Sequence, residues 1–303
     1  METNTSVQIG SLTLKNPVTV ASGTAAYGEE LSKFIDIGSL GAIFTKGLNL
    51  EPREGNAGNR VVETPSGLLN SIGLENVGLK EFLDHKLPFL LAKNATVIPN
   101  IAGRSEDENI ELCSVLSNTP GIKALELNVS CPNVKEGGIA FGTDIDIFTK
   151  LLEKTRKVTK GTLIVKLSPN VTDIASFALR AEETGVDAVS AVNTFIGMKI
   201  DIKTKKPYFL NKTAGLSGPA IRPLAVRAVY QIYEKVKIPI IGEGGISSFD
   251  DMLEFMFAGA AAISVGTMNF VEPALSQNLT GKFEEYLKQN NLGSTKEITG
   301  AAH

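Results

Sequence analysis

Asn128-Val129-Ser130-Cys131-Pro132-Asn133 closes a largely apolar run, Ala124 to Val129, and gathers two amides and a thiol around one forced turn. Proline fixes its own φ and restricts Cys131 before it, so the chain leaves strand geometry where the reactive side chains lie. A capped strand end with a packed cysteine would use the same residues, but the rest of the chain favours a site. Histidine occurs only at His85, inside a helix expected over Leu79 to Leu87, and at His303, the last residue. Ser-His-Asp hydrolysis and histidine-ligated metal catalysis therefore lose their main participant, and no metal site is expected. Cys131 is left as the base. An unperturbed thiol titrates near ~8.5, close enough to working pH to accept an acidic carbon-bound proton when nearby positive charge favours the thiolate. Cys113, within Glu111-Leu112-Cys113-Ser114 on a helix, reads as core packing.

Other candidates sit at or just past the ends of expected strands: Ser22, Lys46, Asn100, Asn128, Lys166, Asn193, Gly244-Gly245 and Gly266-Thr267. Asparagine offers a donor and an acceptor together, so several aimed inward match a planar ligand whose rim alternates N–H and C=O. A pyrimidine or a flavin ring fits. Lys46 and Lys166 could be buried structural ions, but with no carboxylate adjacent in sequence an anionic ligand is the more economical partner. In Ile241-Gly242-Glu243-Gly244-Gly245-Ile246 and Val265-Gly266-Thr267, glycines uncover backbone N–H groups, the pattern of a phosphate site. There is no GxGxxG, so a Rossmann dinucleotide site is unsupported.

These residues need a scaffold that brings distant strand ends together. Eight β-rich runs alternate with amphipathic stretches: Val18 to Ala21, Ala42 to Lys46, Thr96 to Ile101, Ala124 to Val129, Leu163 to Leu167, Ala188 to Asn193, Pro239 to Gly242 and Ala262 to Val265. Helices are expected over Ser105 to Ser117, Asp144 to Val158, Asp173 to Thr184 and Ile221 to Val236. Eight βα units with no composition break predict an α/β chain folded as a single (β/α)8 TIM barrel over 1–303, rather than an open doubly wound sheet. An N-terminal hairpin, Val7 to Ile9 and Leu12 to Leu14, should plug one end. Two stretches fall outside the repeat, Leu48 to Leu74 and Gly197 to Gly218, and should fold over the other, C-terminal face. The first looks irregular; the second holds a small hairpin, Lys199 to Lys203 with Pro207 to Leu210.

Composition agrees with a globular enzyme. With 43% hydrophobic and 21% charged residues the chain can bury a sizeable core, and 30 basic against 33 acidic side chains leave no nucleic-acid footprint. Two distant cysteines give neither a disulfide framework nor an iron-sulfur ligand set, so any cluster must come from a partner. The polar start, Met1 to Gly10, argues against export and for the cytoplasm. Phe255 to Val271 is the most apolar window, but Gly259, Gly266 and Asn269 break it into helix, turn, strand and turn rather than a membrane span.

Taken together, Asn128-Val129-Ser130-Cys131-Pro132-Asn133, Thr45-Lys46-Gly47, Asn70-Ser71-Ile72-Gly73-Leu74, Asn193-Thr194, Gly242-Glu243-Gly244-Gly245 and Gly266-Thr267 resemble class 1 dihydroorotate dehydrogenase over nearly the whole chain. The resemblance implies a barrel holding FMN that oxidises dihydroorotate to orotate in pyrimidine synthesis. Carried over by position, Cys131 removes the C5 proton while hydride leaves C6 for the flavin N5. Lys46 meets the substrate carboxylate and the flavin, and Asn70, Ser71, Ile72, Gly73, Leu74, Asn128, Asn133, Asn193 and Thr194 surround the pyrimidine. The positions matching an FMN site are Ser22, Lys46, Gly47, Asn100, Asn128, Lys166, Val192, Gly218, Gly244, Gly245, Gly266 and Thr267, the last four at the phosphate.

A cysteine at the base position and the lack of an apolar N-terminal extension argue against the membrane-bound quinone-dependent class. Val134-Lys135-Glu136-Gly137-Gly138-Ile139 resembles the NAD-linked form of class 1, in which two catalytic chains, paired as a homodimer, join two partner subunits carrying FAD and a two-iron, two-sulfur (2Fe-2S) cluster. A fumarate-reducing homodimer could use the same asparagines, lysines and thiol. Glu75, where the resemblance leads one to expect glutamine, is a minor departure. The loop Pro132 to Phe141 has the glycines and charges of a lid that closes over substrate. Two other readings stay open: a phosphate-binding aldolase or isomerase using Lys166 as a Schiff-base lysine, and a flavin scaffold that only relays electrons.

Overall fold

The computed structural model describes residues 3–129 and 138–303. Its centre is a ring of eight parallel strands: β1 (Val18–Val20), β2 (Ala42–Phe44), β3 in two pieces (Val97–Ile98 and Asn100–Ile101), β4 (Ala124–Asn128), β5 (Thr162–Lys166), β6 (Ala188–Ala191), β7 (Ile240–Glu243) and β8 (Ala262–Val265). The ring closes through β3, whose first piece pairs with β2 and whose second pairs with β4. Pro99 makes the break: it has no N–H for a ladder, while its carbonyl still accepts from Glu126 N at 2.9 Å. This is the (β/α)8 TIM barrel expected from the eight runs, each of which lies within two residues of an observed strand.

Side-chain alternation along each strand decides what faces the barrel axis. On β5, Leu163 and Val165 pack outward among the helices and Ile164 packs inward; on β2, Ile43 packs outward and Ala42 and Phe44 inward. The inward residues near the strand starts are apolar, Phe44, Ile98, Ala124, Ile164, Ala188, Ile241 and Ala262, and they meet the antiparallel hairpin Val7–Ile9/Leu12–Leu14 that seals this end. Ser11 N fixes the hairpin by donating to Thr162 Oγ1 at 2.9 Å. One step further along, the same period brings in Asn100, Glu126, Ser190, Glu243 and Ser264, all buried. The barrel interior is thus apolar at its floor and polar at its ceiling.

Helices cover the outside, with Phe148, Phe255 and Phe283 fully buried, each burial worth about 1.5–3 kcal/mol. Their starts follow the capping residues in the sequence: Ser105 accepts from Glu108 N, Asp144 from Asp146 N and Ile147 N, Asp173 from Ala175 N and Ser176 N, and Ser248 from Asp251 N. The helix expected over Leu79 to Leu87 instead runs on to Ala92 through a π-turn at Phe82–Lys86, which admits Pro88 where a regular helix would lack its N–H donor. Among the described residues, no helix is long and apolar enough to cross a membrane.

The two stretches outside the repeat fold as one body. Val61–Thr64 and Gly67–Asn70 form a hairpin, and Thr213–Ser217 adds to Gly67–Asn70 and carries Phe195–Met198, giving a four-stranded antiparallel sheet over the mouth. Leu48 to Leu74 is therefore not wholly irregular. The small hairpin of the second stretch is Ile200–Asp201 with Lys206–Pro207, shorter than expected, because the longer strands pair across the mouth instead. Leu69, Phe209 and Ala214 give this lid sheet its own buried core.

Candidate functional site

Under the lid sheet the strand ends open into a cavity of about 380 Å³. Its wall takes Ser22 after β1, Lys46 and Gly47 after β2, Asn100 on β3, Asn128 on β4, Lys166 on β5, Val192, Asn193 and Thr194 after β6, Gly244 and Gly245 after β7, and Gly266 and Thr267 after β8. The lid contributes Asn70, Ile72, Gly73, Leu74 and Gly218. Ser71 is not in the wall: it is buried behind it, its Oγ accepting from Asn56 Nδ2 at 3.1 Å. Cys131 and Asn133 lie outside the described residues. So does most of the loop expected as a lid, whose far side enters a helix at Gly138–Thr143.

The amides form a connected row. Asn193 Nδ2 donates to Asn128 Oδ1 at 3.4 Å, Asn128 Nδ2 to Asn100 Oδ1 at 3.4 Å, and Asn100 Nδ2 to the Glu126 carboxylate. Ser190 Oγ donates to the other Glu126 oxygen at 2.6 Å, and Thr194 N donates to Asn193 Oδ1 at 2.8 Å. Strand register makes this possible, since Asn100 lies opposite Glu126, and Asn128 opposite Lys166. Each bond fixes which amide edge turns to the cavity, so the row presents a set pattern of donors and acceptors.

The two lysines differ. Lys166 Nζ is 2.8 Å from Glu243 Oε2, with both side chains buried. Burial opposes its charge, but Glu243 and Glu126 outweigh it and hold its pKa above the ordinary lysine value. The carboxylate missing beside Lys166 in sequence is thus supplied from two strands away, so this lysine has an internal partner where an anionic ligand was the more economical expectation. A lysine held protonated is also a poor Schiff-base nucleophile, which disfavours the aldolase reading. Lys46 has no carboxylate within ion-pair distance among the described residues. Burial lowers its pKa; Glu75 partly offsets this, and Arg60 adds to it. Glu75 is itself paired with Arg60 at 2.8 Å.

Two glycine turns meet at the β7–β8 side. Gly245 has φ of 83°, and a Cβ there would stand 2.7 Å from the Gly218 carbonyl oxygen. Only glycine lets the loop after β7 and the lid touch at this point. A Cβ at Gly266 would meet only Ala21, at 3.8 Å, so this backbone faces open space. Thr267 Oγ1 donates to Ser217 Oγ at 2.8 Å, tying the turn after β8 to the lid.

Sequence reasoning passed over Glu126 and Ser190 and read Glu243 only as part of a glycine turn. The signal for Glu126 was a lone charge at an inward position of an otherwise apolar strand. His85 pairs with Glu81 on an exposed helix face, and His303 stacks on Tyr230, both away from the cavity. Cys113 is fully buried, and burial pushes its thiol up to about 12. Among the described residues no group of three or more His, Cys, Asp or Glu could hold a metal ion.

A parallel barrel with an apolar floor, an amide-lined polar ceiling and glycine turns after its last two strands defines a (β/α)8 barrel built to bind a ligand at its C-terminal mouth. The family model described as dihydroorotate dehydrogenase matches residues 4–287. A protein of Desulforamulus reducens is 50% identical over 303 residues, covering 100% of both chains, and one of Trichlorobacter lovleyi is 50% identical over 296 residues, covering 98% of this chain and 97% of its own. A Listeria monocytogenes protein is 47% identical over 292 residues, 96% of each. All three are named dihydroorotate dehydrogenase B (NAD(+)), catalytic subunit. The chain belongs to the dihydroorotate dehydrogenase family.

Proposed function

We propose that this chain, acting as one barrel domain in the cytoplasm, is the catalytic subunit of an NAD-linked dihydroorotate dehydrogenase and oxidises (S)-dihydroorotate to orotate for pyrimidine synthesis. The observation that carries the reading is the convergence of Lys46, the asparagine row and the glycine turns on one covered cavity in a chain of this family. FMN fits the residues present. The turn at Gly266 leaves backbone uncovered where a phosphate needs it, and the polar ceiling holds two buried oxygens with no hydrogen-bond partner among the described residues, Glu243 Oε1 and Ser264 Oγ. When bound, FMN supplies the hydride acceptor.

The chain's own residues do the rest. Lys46, partly desolvated and without a competing ion pair among the described residues, is suited to hold the substrate carboxylate. Asn70, Asn128, Asn193 and Thr194 match the alternating N–H and C=O edge of the pyrimidine, and Ile72, Gly73 and Leu74 close over it, with Asn133 assigned to the same set. Ser71 acts by holding that loop. Cys131 follows the cavity residue Asn128 by three positions and takes the proton from C5 as thiolate. The FMN set is Ser22, Lys46, Gly47, Asn100, Asn128, Lys166, Val192, Gly218, Gly244, Gly245, Gly266 and Thr267. Closure of the lid sheet over the mouth excludes water.

Electrons leave through a partner subunit with FAD and a 2Fe-2S cluster, two of each chain forming a heterotetramer around a homodimer of this one. The test is turnover with defined oxidants. NAD reduction that starts only when an iron-sulfur flavoprotein subunit is added supports the assembly; rapid turnover by the isolated chain with fumarate contradicts it.

A further inference from the structure

Glu243 is a charged group of the polar ceiling that the reaction above leaves without a task. It extends inward from the end of β7 and reaches the cavity wall, buried, with Oε2 on Lys166 Nζ at 2.8 Å. Its Oε1 is buried with no hydrogen-bond partner among the described residues. The charged groups facing it are Lys166 from β5 and Glu126 from β4, while β6 and β8 present the neutral Ser190 and Ser264. An unpartnered carboxylate oxygen in such a place costs about 1–3 kcal/mol or more unless a ligand completes it.

We propose that Glu243 is a positioning residue that sets the charge Lys166 presents to the flavin ring, and thereby fixes the reduction potential of the bound cofactor. The inference rests on the FMN reading given above. Lys166 alone would place a full buried cation at the ceiling and favour the cofactor's electron-rich form. Glu243 as carboxylate offsets that cation together with Glu126; as carboxylic acid it withdraws its share of that offset and offers an O–H donor from Oε1. Burial pushes Glu243 up to about 7, against the pull of Lys166 and with a contribution from Glu126, so the exchange falls near neutrality. Reduction adds negative charge nearby and favours the acid form, so the potential should fall more steeply with pH than the flavin's own protonation requires.

The test is reference-dye potentiometry of the FMN-loaded protein, one pH unit below and one above neutrality, for wild type, Glu243→Gln and Glu243→Asp. Above neutrality Glu243→Gln should raise the midpoint by at least about 30 mV, a tenfold change in the two-electron equilibrium. Below neutrality the gap should narrow, and Glu243→Asp, which keeps the charge, should retain the wild-type pH dependence. Coincidence of wild type and Glu243→Gln at both pH values overturns the inference. Should Glu243→Gln fail to hold flavin, wild type decides alone: a slope with pH parallel to that of free FMN in the same buffers overturns it, and a steeper slope supports it. A wild-type protein that takes up no FMN removes the flavin reading itself, an outcome distinct from unchanged potentials.

Discussion

Lys46 and Lys166 reach one cavity in opposite electrostatic states, and their tasks follow. Lys166 is paired with Glu243, so its charge serves the site's internal balance; Lys46, with no ion pair among the described residues, keeps its cation for an incoming anion. Lys46→Ala should weaken orotate binding by about 1.5–3 kcal/mol, the worth of a charged hydrogen bond, or roughly 10–150-fold in Kd. Because burial lowers its pKa, orotate affinity should fall with rising pH earlier than an ordinary lysine would dictate, and Lys46→Arg should move that fall to higher pH. Unchanged affinity in Lys46→Ala, followed by quenching of flavin fluorescence, would place the carboxylate elsewhere. Cys131→Ala should retain FMN while slowing its reduction by dihydroorotate by about 10²–10⁴, the usual contribution of a general base. In wild type the reduction rate should rise with pH as the thiol ionises; a rate independent of both substitution and pH would take the role from Cys131.

At the level of elements, the lid sheet explains how two insertions separated by half the barrel's strands can act together. Its satellite core of Leu69, Phe209 and Ala214 is distinct from the barrel core, so the two should loosen independently. Phe209→Ala should cost the lid about 3–5 kcal/mol and raise the KM for dihydroorotate. Hydrogen exchange should quicken in Val61–Thr64, Gly67–Asn70 and Thr213–Ser217 while the barrel strands keep their protection; uniform quickening would contradict a separable lid. The barrel strands were legible in sequence because a strand buried on both faces reads as a short apolar run. The lid strands were not: with one half-exposed face and glycines at Gly67, Gly197 and Gly215, they carry little apolar signal, and their pairing joins segments far apart in the chain. The Lys166–Glu243 pair escaped for the same reason, since its residues are neighbours only across the closed ring. The lining residues Lys46, Asn100, Asn128 and Asn193 could be found because each stands at a strand end, which the barrel turns toward a common mouth.

The whole molecule is organised along the barrel axis, from a sealed apolar floor to a polar ceiling and a covered mouth. Stability and function are thereby separated. Ile9→Ala, at the fully buried plug, should cost about 2–5 kcal/mol and lower the denaturant midpoint while leaving FMN affinity of the folded protein intact. A loss of flavin binding from the still-folded variant would show that floor and mouth are coupled. The central claim joins that mouth to one reaction, and the most direct measurement is anaerobic rapid mixing of the FMN-loaded chain with dihydroorotate while its visible absorbance is followed. The flavin band should bleach in a single turnover and orotate should form in equal amount. A band that stays oxidised in excess dihydroorotate, in protein whose flavin is still reduced by dithionite, would contradict the account.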